Sequence, residues 1–106
     1  MKNSPRHNPF QGTGVALVTP FDAAGHVDYA GLRSLVTHCI AGGVDFLVAL
    51  GTTGESATLS SAEKAAVVDS ILEVNAGRLP VVLGVGGNDT REVVAALKSV
   101  PAGIDG

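Results

Sequence analysis

The chain has 106 residues, 45% of them hydrophobic and 16% charged, with a formal net charge of -3. That balance excludes a disordered chain, which needs low hydrophobicity and high net charge. The seven Lys and Arg residues are scattered, so no basic stripe exists for a nucleic acid or a membrane surface to bind.

Aromatic residues make up only 4%, so the core must come from Val, Leu, Ile and Ala. This suits strands covered by helices on both faces, the usual state of a parallel sheet. Met1 to Gln11 is polar, carries Pro5 and Pro9, and has no apolar stretch like a signal-peptide core. No run approaches the roughly 20 apolar residues of a membrane span, and a cytoplasmic location is expected.

The first predicted strand reads Val15-Ala16-Leu17-Val18 and is stopped by Pro20. Asp28 then caps a helix whose apolar residues, Leu32, Leu35, Val36, Cys39 and Ile40, recur at one-face spacing. Gly42 and Gly43 supply its left-handed stop. Cys39 is the only cysteine. It can form no intrachain disulfide, one thiol makes no metal site, and its place on the apolar stripe reads as core packing.

A second strand, Phe46 to Leu50, leads into the loop Gly51-Thr52-Thr53-Gly54-Glu55-Ser56. Ser60 with Glu63 three residues on predicts a capping box at the start of a second helix. Val67, Val68, Ile71 and Leu72 mark its buried stripe, and Gly77 ends it. Pro80 introduces a third strand, Val81 to Val85. After Gly86-Gly87-Asn88, either Asp89 or Thr90 caps a third helix with Val93, Val94 and Leu97 facing inward. Pro101 closes that helix, and Ala102 to Gly106 reads as a fourth strand beginning.

Strand, helix and strand at a period of roughly 30 residues is the βαβ unit, so the sheet is predicted to be parallel. In such folds the functional loops sit at the carboxyl ends of the strands. Here these are Thr19-Pro20-Phe21, Gly51 to Ser56, and Gly86-Gly87-Asn88. In the middle loop two glycines bracket two threonines. The glycines allow close backbone approach, and free N–H groups near a helix start suit a carboxylate. Local hydroxyl-to-backbone bonds are the other reading of Thr52 and Thr53. Asn88 reads as a helix cap or a contact residue, and Glu55 as a general base or a partner of the helix dipole. His7, His26 and His38 show no ligand spacing. No Gly-Lys pair completes a phosphate loop, and a dinucleotide fingerprint begun at Gly84 has Asp89 where its third glycine belongs.

The string Gly51-Thr52-Thr53-Gly54-Glu55-Ser56-Ala57-Thr58-Leu59 resembles the signature of the dihydrodipicolinate synthase / N-acetylneuraminate lyase family. Val18-Thr19-Pro20-Phe21, Gly77-Arg78-Leu79-Pro80-Val81 and Gly86-Gly87-Asn88-Asp89-Thr90 are similar to the family's flanking segments. The resemblance implies an α/β fold in which residues 12–106 are the N-terminal portion of a (β/α)8 TIM barrel, with about three βα units and the start of strand 4. Residues 1–11 form a polar tail.

It also implies a pyruvate-dependent lyase that condenses pyruvate with L-aspartate 4-semialdehyde through a lysine Schiff base, on the way to diaminopimelate and lysine. Sister activities on other aldehydes, such as N-acetylneuraminate lyase and keto-deoxy sugar acid aldolase, remain open, as does a non-catalytic truncated product. By resemblance Thr53 and Thr52 bind the pyruvate carboxylate, and Thr52 joins a proton relay with two tyrosines. Ser56, Ala57, Ser61, Lys64, Asn88 and Glu92 match positions lining the family's allosteric lysine site. No cofactor or metal is implied, and the whole enzyme is expected to be a homo-oligomer, a dimer of dimers. None of Lys2, Lys64 and Lys98 matches the imine-forming lysine of the sixth strand, and Tyr29 matches neither relay tyrosine. The chain alone is therefore expected to be inactive.

Overall fold

The computed structural model describes residues 9–86 and 89–106. His7 and Lys2 in the tail, and Gly87 and Asn88 in the third loop, lie outside the described residues. Three strands form one sheet in the order β1-β2-β3, with β1 Gly14–Ala16, β2 Phe46–Ala49 and β3 Val81–Leu83. Both pairings are parallel. Val15 aligns with Leu47, and Leu47 with Val81. Sequential neighbours in a parallel sheet require a crossover between them, and α1 (Tyr29–Ala41) and α2 (Ser61–Asn75) supply it.

The strands are shorter than their apolar runs, because pairing ends where the loops turn away. It still persists one residue further on each side of β2: the Leu17 N–H donates to Val48 O at 3.0 Å and the Gly84 N–H to Ala49 O at 2.8 Å.

Local signals placed the helix starts. Asp28 accepts from the Gly31 N–H at 2.9 Å. Ser60 Oγ accepts from the Glu63 N–H at 3.1 Å while Glu63 Oε1 accepts from the Ser60 N–H at 2.8 Å, a complete capping box. The left-handed stop of α1 is at Gly43. That of α2 begins one residue before the expected glycine, since Ala76 already has φ +49°.

The core lies between the sheet and these two helices. Leu32, Val36, Leu47, Val67, Ile71 and Val81 are its most enclosed side chains, and Cys39 packs among them. Burying each such aliphatic stabilises the fold by about 1.5–3 kcal/mol. Asn75 is the polar exception. Its amide spans Leu79, donating to the carbonyl at 2.8 Å and accepting from the N–H at 3.0 Å, which pins the turn into β3.

The third helix, α3 (Thr90–Lys98), corrects one expectation. Val94 and Leu97 do not face inward, and Val93 is only half-buried. No residue of α3 is buried, Val94 is 44% exposed and Leu97 57%. The stripe has the right spacing, but among the described residues no element lies over it.

Ala102 to Gly106 is not a regular strand, yet its end docks on β3 as a fourth strand would. The Asp105 and Gly106 N–H groups both donate to Val81 O, at 2.8 and 3.3 Å, and Asp105 Oδ2 accepts from the Val81 N–H at 2.9 Å. The same clamp joins β2 to β1. There the Asp45 and Phe46 N–H groups donate to Thr13 O, and Asp45 Oδ2 accepts from the Thr13 N–H at 2.7 Å. Each clamp follows a glycine of positive φ, Gly43 or Gly103, and an aliphatic residue. The chain thus repeats one strand-entry device across two βα units.

Candidate functional site

The carboxyl end of β2 is shaped by backbone that ordinary residues avoid. Leu50 is buried with φ +55°, a left-handed conformation that strains a bulky residue. It turns the chain sharply into Gly51. Gly84, at the end of β3, lies against this turn so closely that a Cβ there would meet Leu50 C at 2.9 Å and Gly51 Cα at 3.1 Å. Only glycine fits.

Beyond Gly51 the chain forms two short 3₁₀ turns, Thr52–Gly54 and Ser56–Thr58, linked by Glu55 at φ +57°. The Gly54 N–H closes the first turn on Gly51 O at 2.9 Å, and the Glu55 N–H bonds Thr52 O at 3.0 Å. Leu59 is buried beneath the second turn, and Ser60 then caps α2. The loop is thus anchored at both ends.

Thr52 and Thr53 are exposed, and neither hydroxyl is bonded to another described residue. Thr58 behaves otherwise: its hydroxyl donates to Glu55 O at 2.8 Å. The local hydroxyl-to-backbone reading therefore fits Thr58 and not the Thr52-Thr53 pair. Two adjacent hydroxyls, with their own N–H groups at the start of a 3₁₀ turn, can bind an anion of carboxylate size. Glu55 stands five residues before Ser60, so the acidic partner of the α2 dipole is Glu63 instead.

The other singled-out residues share this end of the sheet. Ser56 and Ala57 lie on the second 3₁₀ turn, Ser61 and Lys64 on the first turn of α2, and Glu92 on the first turn of α3. Lys64 and Glu92 form no ion pair with a described residue. Asp89, not Thr90, caps α3, accepting from the Arg91 N–H at 2.9 Å. His26 and His38 are exposed, and Lys98 ends α3. Among the described residues no three His, Cys, Asp or Glu side chains gather as metal ligands, and no helix is long and apolar enough to cross a membrane. Thr19, in the loop after β1, is 4% exposed and lies directly against Gly54. Nothing local in the sequence marks that burial.

The dihydrodipicolinate synthetase family model matches residues 9–106. The chain belongs to that family. It is 57% identical over 90 residues to the 4-hydroxy-tetrahydrodipicolinate synthase of Flavobacterium psychrophilum, covering 85% of this chain and 31% of that protein. Among solved structures, the chloride-inhibited dihydrodipicolinate synthase of Acinetobacter baumannii complexed with pyruvate superposes with a TM-score of 0.81 at 43% identity. It covers 84% of this chain and 31% of that one. N-acetylneuraminate lyase from Mycoplasma synoviae gives 0.80 at 31% identity over 88% and 33%. The chain spans about a third of the length of these relatives, and its three βα units are the N-terminal part of a (β/α)8 barrel.

Proposed function

We propose that these residues form the carboxylate cradle of a pyruvate-dependent lyase that condenses pyruvate with L-aspartate 4-semialdehyde to give 4-hydroxy-tetrahydrodipicolinate. The observation that carries this reading is the pair of unspent hydroxyls, Thr52 and Thr53, on an anchored turn at a strand's carboxyl end. The 57% identity to a synthase, against 31% to an N-acetylneuraminate lyase, favours aspartate semialdehyde over a sugar aldehyde.

In this reading Thr53 holds the pyruvate carboxylate through its hydroxyl and N–H. Thr52 passes protons between tyrosines that this chain does not contain. The imine-forming lysine stands, in this reading, on a later strand of the barrel; Lys64 and Lys98 lie on helices, which supports it. Imine formation acidifies the pyruvate methyl, and the resulting enamine attacks the aldehyde. The 106 residues bind and orient; the covalent chemistry belongs to the rest of a barrel.

Ser56, Ala57, Ser61, Lys64, Asn88 and Glu92 are proposed to border a lysine-binding site between subunits of a cytoplasmic homo-oligomer. The Lys64 cation repels a lysine ligand, so feedback inhibition is weak.

The test is a chimera in which residues 9–106 replace the matching third of the Flavobacterium psychrophilum enzyme. It condenses pyruvate with aspartate semialdehyde and does not cleave N-acetylneuraminate. Thr53→Val removes a hydrogen bond to a charged group, about 1.5–3 kcal/mol, so KM for pyruvate rises roughly 10- to 150-fold. An unchanged KM in that variant refutes the cradle. The 106-residue chain alone, treated with pyruvate and borohydride, yields no reduced lysine adduct by mass spectrometry.

A further inference from the structure

Two polar side chains are buried in the described core, Thr19 and Asn75. Asn75 spends its amide on Leu79. The Thr19 hydroxyl has no hydrogen-bond partner among the described residues, although the residue is 4% exposed. Valine has the same shape and would fill the site without burying an unbonded hydroxyl, so packing does not account for a threonine.

Its position does. A Cβ built on Gly54 would stand 3.4 Å from Thr19 Oγ1 and 3.2 Å from Leu17 O, so two oxygens of the β1 end lie directly against Gly54. Gly54 is itself buried, and its N–H makes the bond to Gly51 O that closes the turn carrying Thr52 and Thr53. A hydroxyl rotates freely to suit the local field. With an anion over the turn its proton end swings toward the charge, in a buried setting where a dipole acts strongly. A methyl group cannot respond.

We infer that Thr19 is a positioning residue, its buried hydroxyl acting through Gly54 to orient the Thr52–Thr53 turn toward the carboxylate of a small 2-oxo acid. This rests on the cradle reading above and adds a third hydroxyl to it from the loop after β1.

The test uses the chimera and three variants, each assayed for pyruvate kinetics and thermal unfolding. Thr19→Val raises KM for pyruvate tenfold or more with kcat changed less than threefold, while its Tm is unchanged or higher. Thr19→Ser keeps the hydroxyl and loses the methyl, so its KM stays within threefold of the parent while its Tm falls. A purely structural role gives the opposite order, with valine tolerated and serine impaired. Thr19→Val with the parent KM, or Thr19→Ser as impaired as Thr19→Val, overturns the inference. Thr53→Val separates the two ideas: if it raises KM and Thr19→Val does not, only the role of Thr19 falls. If neither raises KM, the cradle falls with it.

Discussion

Replacing Gly84 by alanine would place a methyl group between two backbones. The new Cβ would lie 2.9 Å from Leu50 C and 3.1 Å from Gly51 Cα, and inside contact distance of the Leu50 carbonyl oxygen. None of these atoms belongs to a flexible side chain that could move aside. Restoring ordinary contact requires β3 and the β2 turn to part by about half an ångström or more, against a close-packed interior. That movement stretches the Gly84 N–H bond to Ala49 O, now 2.8 Å.

Overpacking of this kind costs about 1–3 kcal/mol, and a weakened backbone hydrogen bond adds about 0.5–1.5. Gly84→Ala therefore destabilises the chimera by about 1.5–4.5 kcal/mol in equilibrium urea unfolding. Because Leu50 and Gly51 set the path of the Thr52–Thr53 turn, KM for pyruvate rises as well. Gly86→Ala is the control two residues away. A Cβ there meets nothing within 4 Å, so its effect stays within about 0.5 kcal/mol. A Gly84→Ala chimera as stable as its parent, or a Gly86→Ala loss of equal size, would refute the reasoning.

Ala76→Gly is stabilising by about 0.5–1 kcal/mol in the same assay, because the residue at φ +49° then meets no Cβ penalty. Ser60→Ala removes half of the capping box of α2 and destabilises by about 0.5–2 kcal/mol, read as a lower urea midpoint at unchanged slope. The isolated 106-residue chain shows no sharp cooperative melt by circular dichroism. It leaves Val94 and Leu97 of α3 and Val18 of the β1 loop in water, and soluble domains rarely leave sheet edges and apolar stripes uncovered.

Much of this protein could be read along the chain. Asp28, and Ser60 with Glu63, predict helix starts that the structure reproduces; of the Gly42-Gly43 pair expected to give α1 its left-handed stop, only Gly43 does so. The stripes of α1 and α2 point into the core as their spacing requires. These features depend on partners within about four residues, so a periodic pattern or a cap is enough to specify them. The Gly51–Leu59 string likewise marks Thr52 and Thr53 within the sequence itself.

The sequence by itself thus determined the three βα units, their parallel order and the loop that carries the hydroxyl pair. Only the tertiary structure decided that Leu50 turns left-handed, that Gly84 is pressed against it, and that Thr19 is buried beneath Gly54. It also decided that Asp45 and Asp105 clamp neighbouring strands and that the apolar face of α3 stays in water. All but the Leu50 turn join residues 24 or more positions apart or depend on which element lies overhead. No local periodicity encodes such distances; they arise when one βα unit stacks against the next.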